Sequence, residues 1–153
     1  MGVAVTNLQR AVPVSRTRVR RIVDLALSEL GRSGSEVHLA LVNDPTIRRL
    51  NARFRAVPRR TDVLAFPLES PGPSRLLGEV VISAESCRRQ ARRLGVPLGL
   101  ELDLLVVHGL LHLVGYDDRD PLEARLMHQR ARAILEAATG ATPARLWSGL
   151  LAV

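Results

Sequence analysis

Between Leu98 and Leu113 the chain reads LGLELDLLVVHGLLHL, with Glu101 and Asp103 as the only charges ahead of His108. A helix this apolar has no face to leave in water, so other elements must enclose it. The fold is therefore organised around this segment. With 153 residues, one domain covering 1–153 suffices to do so. Aromatic residues are only 3% of the chain, so the core is assembled from Leu, Val, Ile and Ala.

The rest of the chain supplies the enclosing elements. Val3 to Leu8 reads as a short strand. Ser15 to Leu30 reads as a helix capped by Ser15 and stopped by Gly31, with Val19, Ile22, Val23, Ala26, Leu27 and Leu30 on one face. Glu36 to Asn43 is a strand. Asp44 caps a second helix that has Pro45 at its first position. Thr61 to Leu68 and Leu76 to Ser83 are strands joined by a Pro- and Gly-rich loop, as suits an antiparallel pair. Ser83 caps the helix Ala84 to Leu94, which Gly95 stops. Pro121 opens a last helix to about Ala138, and Trp147 anchors the tail. This order predicts an α+β domain, with a mixed sheet of about four strands packed with about five helices.

Charge and cysteine content narrow the setting. Lys+Arg number 22 against 15 Asp+Glu, a net charge of +7, carried by arginine. Arginine forks onto phosphates and stacks on bases, so an anionic partner such as nucleic acid is indicated. Charge alone does not decide it, because arginine usage also follows genome composition. Cys87 is the single cysteine, which rules out an internal disulfide and a cysteine-built zinc site. The opening MGVAVTNLQR lacks the pattern of a signal peptide, and no apolar run reaches the roughly 20 residues of a membrane span. A cytoplasmic protein without a membrane partner is expected.

His108 and His112 stand four apart, which places both imidazoles on one helical face. Two imidazoles so spaced can bind one metal ion, and a third ligand can return from Tyr116-Asp117-Asp118 once Gly115 has ended the helix. Three protein ligands leave a position open for water, whose pKa the ion lowers. A single histidine on an apolar helix is usually a packed core residue. A pair is harder to bury without polar partners. Gly109 follows His108, so the glutamate of the HExxH peptidase arrangement is absent.

The segment HGLLHLVGYD, His108 to Asp117, resembles the signature of the bacterial YbeY family, in which three histidines hold a zinc ion. Leu50 to Arg55 (LNARFR), Thr61 to Pro67 (TDVLAFP) and Leu77 to Ser83 (LGEVVIS) are similar to further segments of that family in the same order. The resemblance spans about residues 41–137. It implies a metal-dependent single-strand endoribonuclease that matures the 3′ end of small-subunit rRNA and serves ribosome quality control. It also implies rRNA, the small ribosomal subunit and assembly proteins as partners. By the same resemblance Arg55 faces the metal and holds the scissile phosphate, with Arg53, Arg59 and Arg60 lining an RNA groove. Few aromatics are available for stacking, so low sequence specificity is expected.

Asp118 stands where the family has its third histidine. A carboxylate ligates zinc normally, although it weakens the Lewis acid and makes harder ions such as Mn2+ more plausible competitors of the expected Zn2+. The favoured set is His108, His112 and Asp118 around one ion. Asp117 as the ligand, or loss of the metal, are the alternatives. Two other functions stay open: an rRNA-binding assembly factor without catalysis, and a hydrolase of another substrate such as a peptide, with Glu79 as its base. His38 is not placed by sequence. Cys87 reads as a bystander, Asp62 as a turn cap or a partner of Arg59 or Arg60, and His128 as a surface residue.

Overall fold

A computed structural model describes residues 3–54, 62–68 and 76–151. Four strands, β1 (Val3–Asn7), β2 (Glu36–Val42), β3 (Val63–Pro67) and β4 (Leu76–Ser83), form one sheet in the order β1-β2-β4-β3. β1 and β4 run parallel to β2, and β3 pairs antiparallel with β4. The helices are α1 (Arg16–Glu29), α2 (Asp44–Phe54), α3 (Ala84–Leu94), α4 (Leu98–Leu113), α5 (Pro121–Thr139) and α6 (Ala144–Leu151). The α+β class and the mixed four-stranded sheet are as the sequence indicates. The additional helix, α6, is the tail. Trp147 fixes it, buried against the body and donating its indole N–H to Thr142 Oγ1 at 2.9 Å.

α4 is the hub of the main core. Every residue from Glu101 to Leu113 is buried except His108 and His112. Leu104, Leu105, Val107, Leu110 and Leu111 meet α1, α3, α5 and one face of the sheet in a single apolar cluster. Both carboxylates of α4 are buried, and Asp103 accepts two hydrogen bonds from Arg18 of α1, at 3.2 and 2.8 Å. The strands alternate as a pleat demands. Val63 and Ala65 of β3 pack on the main core, whereas Leu64 and Phe66 turn to the opposite face. There α2 covers the sheet with Ile47 and Leu50 over Val42, Leu64 and Val81.

The start of α2 differs from the expectation. Asn43, not Asp44, is the cap: its Oδ1 accepts the Thr46 N–H at 3.0 Å. Asp44 is claimed by tertiary partners instead. It accepts the Ser83 hydroxyl at 2.5 Å, the Ser86 hydroxyl at 2.7 Å and an Arg89 N–H at 2.6 Å, while its own N–H donates to Glu85. The start of α2 is thereby tied to the start of α3. Burial works to raise the Asp44 carboxyl, but the donors from Arg89, Ser83 and Ser86 outweigh it and hold the group at about 2, against an ordinary 3.8. A carboxyl depressed by folding stabilises the fold fully above its unfolded value and loses that contribution as protons bind. Acid unfolding should therefore steepen as the pH falls from about 3.8 toward about 2. Asp44→Asn should remove that part of the acid limb and cost roughly 1–2 kcal/mol at neutral pH, read by urea denaturation across a pH series.

Candidate metal centre

The two residues between Glu101 and Leu113 that are not buried are the two candidate ligands. His108 and His112 are half-buried, one turn apart, in a run otherwise sealed by leucine and valine. Their rings lie edge to face, with centroids 4.6 Å apart and Nε2 atoms 3.1 Å apart. Two nitrogens held about 2.0–2.1 Å from one tetrahedral ion would stand roughly 3.3 Å apart, so the pair already has the spacing of shared ligands.

What orients His112 is the end of the helix. The Gly115 N–H donates to the His112 carbonyl at 3.2 Å, and the Tyr116 N–H donates to the Leu111 carbonyl at 3.0 Å. This is the Schellman closure, and it requires the positive φ of +107° that Gly115 adopts. The turn brings the Tyr116 carbonyl to 3.0 Å from His112 Nδ1. A carbonyl only accepts, so Nδ1 carries the hydrogen and Nε2 presents its lone pair to the site. This orienting carbonyl is not legible from side-chain types. Its only sequence signal is Gly115, which permits the turn.

The chain then returns Asp118. Ligand atoms of His108, His112 and Asp118 all lie within 4.8 Å of one another, and this group could hold a metal ion. Asp117 is engaged in the turn itself: Oδ1 accepts the Asp118 N–H at 2.7 Å and Oδ2 pairs with Arg119 at 2.7 Å. Asp120 caps α5 by accepting the Glu123 N–H at 2.9 Å. The donor set of nitrogen and carboxylate oxygen is one that zinc and manganese both accept.

Other residues singled out in the sequence lie elsewhere. Gly109 faces the sheet, where a Cβ would stand 2.6 Å from Val80 Cγ1. The position that carries glutamate in HExxH sites is here a close-packing position. Val80 meets α4, so Glu79 beside it projects from the other face of β4, 3.8 Å from His38 Nδ1. That removes it from the metal site and corrects its assignment as a base. His128 is half-buried rather than fully at the surface: its ring packs edge to face on Trp147 at 5.1 Å, and burial, then Arg132, pushes its pKa down. Cys87 belongs to the main core and Asp62 is buried. Arg53 is exposed at the end of α2. Arg55, Arg59 and Arg60 lie outside the described residues. No helix among the described residues is long and apolar enough to cross a membrane.

Two histidines from one helical face and a carboxylate from the turn after it, open to solvent, form the donor set of a metal-dependent hydrolase. The comparisons with known proteins narrow that class. The profile of the family described as Endoribonuclease YbeY matches residues 4–139. An endoribonuclease YbeY of Anaeromyxobacter sp. (strain Fw109-5) is 45% identical over 141 residues, covering 90% of this chain and 73% of that protein. One from Carboxydothermus hydrogenoformans is 41% identical over 136 residues, covering 87% and 94%. A solution structure of a Thermotoga maritima protein aligns with a TM-score of 0.60 over 98% of this chain and 92% of that one, at 24% identity, and shares the fold. The chain belongs to the YbeY family of endoribonucleases, hydrolases that act on RNA. The match begins well before residue 41, so β1 and α1 are part of the family domain.

Proposed function

We propose that this chain cleaves single-stranded RNA with a metal ion held by His108, His112 and Asp118, and that it acts in maturing the 3′ end of small-subunit rRNA and in ribosome quality control. The observation that carries the reading is the convergence of those three side chains at the solvent-facing end of a buried helix. Zinc is the ion the two imidazoles favour, with manganese made competitive by the carboxylate. Such an ion, when bound, supplies Lewis acidity toward a phosphoryl oxygen and lowers the pKa of water.

The chain's own residues do the rest. The Tyr116 carbonyl fixes the ring and tautomer of His112, and the Asp117–Arg119 pair holds the turn that delivers Asp118. Arg55 would clamp the scissile phosphate. Arg53, Arg59 and Arg60 would bind the strand through its backbone, in keeping with the net charge of +7. The small ribosomal subunit and its assembly proteins are the proposed partners, in the cytoplasm. A peptidase reading loses its one candidate base, since Glu79 projects from the far face of the sheet.

The test is metal content of protein purified without chelator or affinity-tag metal. Wild type should carry close to one zinc or manganese per chain and cut single-stranded RNA. Asp118→Ala should lose most of the ion at unchanged thermal stability. A wild type that neither carries nor takes up either ion would leave an RNA-binding assembly factor without catalysis.

A further inference from the structure

Phe54 and Phe66 are the only phenylalanines in the chain, and the fold brings them together. Phe54 closes α2 and Phe66 lies on β3, with ring centroids 5.6 Å apart at an interplanar angle of 79°. Phe66 packs with Leu50 against the smaller core cluster, whereas Phe54 is left 57% exposed. The guanidinium carbon of Arg53 sits 5.3 Å from the centre of the Phe54 ring. An exposed aromatic ring beside a cation is the arrangement on which unpaired bases stack while their phosphates meet charge.

The place in the fold suits a substrate strand. β3 is the edge strand beside the metal centre. The Phe66 carbonyl and Leu113, the residue after His112, both crowd Gly78 of β4, where a Cβ would lie 2.3 and 2.9 Å from them. The Phe54 ring and the histidines thus stand on opposite faces of the sheet near the same edge. A single strand passing around that edge would meet both.

We infer that Phe54, backed by Phe66 and flanked by Arg53, is a stacking platform for one unpaired base of the RNA strand, around the sheet edge from the bond that is cut. The inference rests on RNA being the substrate of the metal centre. Every base has a π-face, so one platform adds affinity without reading sequence. The platform positions the strand and takes no part in the chemistry.

The test uses the metal-loaded full chain and a short single-stranded RNA carrying 2-aminopurine at successive positions. Binding is read by rapid mixing before turnover, and cleavage is followed separately under single-turnover conditions. For wild type, 2-aminopurine at one position should change its fluorescence on binding. Phe54→Ala should abolish that change and weaken half-saturation roughly ten-fold, with the maximal cleavage rate held within about two-fold. Phe54→Leu, which keeps apolar bulk, should behave like Phe54→Ala, and Phe54→Tyr like wild type. Equal affinity for wild type, Phe54→Ala and Phe54→Leu would overturn the platform. So would a loss of self-association in Phe54→Ala with RNA affinity untouched, which would make the patch a contact between copies. A wild type that binds RNA through Phe54 but never cuts it would keep the platform and sink the endoribonuclease reading instead.

Discussion

His112→Ala should lower single-stranded RNA cleavage roughly a thousand-fold or more, because it removes one of the three proposed metal ligands and with it the water such an ion would acidify. The side chain is half-buried at the rim of α4 and closes no cavity in the core. Its removal should therefore leave the thermal midpoint within a few degrees of wild type. Cleavage and metal content measured on one sample separate the effects: rate and bound ion should fall together. The same pair of readings on Asp118→His tests the departure from the family pattern. A third imidazole in place of the carboxylate should retain zinc, disfavour manganese and move the pH dependence of cleavage to lower pH, since one negative charge leaves the ion. A His112→Ala protein that cleaves at the wild-type rate would show that hydrolysis occurs elsewhere.

Gly109→Val should be the most damaging small substitution in α4. A β-carbon at this position meets Val80 Cγ1 at 2.6 Å and Val63 Cγ2 at 3.3 Å, and Val80 is wholly buried on the central part of the sheet. Neither branched side chain can swing away in a close-packed interior. The helix must lift off β3 and β4 or the sheet must bend. Overpacking of this kind costs about 3 kcal/mol for valine. For Gly109→Ala the gain in helix propensity offsets about 1 kcal/mol of a similar strain, leaving a smaller loss. Urea denaturation of the three proteins should rank them glycine, alanine, valine. Equal stabilities would mean that α4 does not pack on the sheet as closely as the 2.6 Å approach requires.

The parts of the fold that could be read in advance were those governed by local patterns. The apolarity of Leu98 to Leu113 demanded enclosure, and the alternation in β2 marked a strand. The i, i+4 spacing placed two imidazoles together, and Gly95 and Gly115 marked helix ends. The parts that could not be read depend on partners distant in sequence. Asn43 and Asp44 are both good caps, and nothing local says that Ser83, Ser86 and Arg89 will claim the second. α6 is too short to declare itself, and its position depends on Trp147 reaching Thr142. Glu79 could have been placed by parity: with Val80 on the core, its neighbour on a strand must face away. Spacing and residue type leave both Asp117 and Asp118 open as the third ligand; the fold engages Asp117 with a backbone N–H and Arg119.

The closing turn of α4 also has an electrical consequence. The peptide dipoles of a helix sum to a partial negative charge at its carboxyl end, felt within the last turn. His112 belongs to that turn, and Asp117 and Asp118 follow it directly. The end of α4 thus presents a field that draws a divalent cation inward and repels a phosphodiester. A cation held by His108, His112 and Asp118 would offset that field, so RNA should bind more tightly to the ion-loaded protein than to the ion-free one.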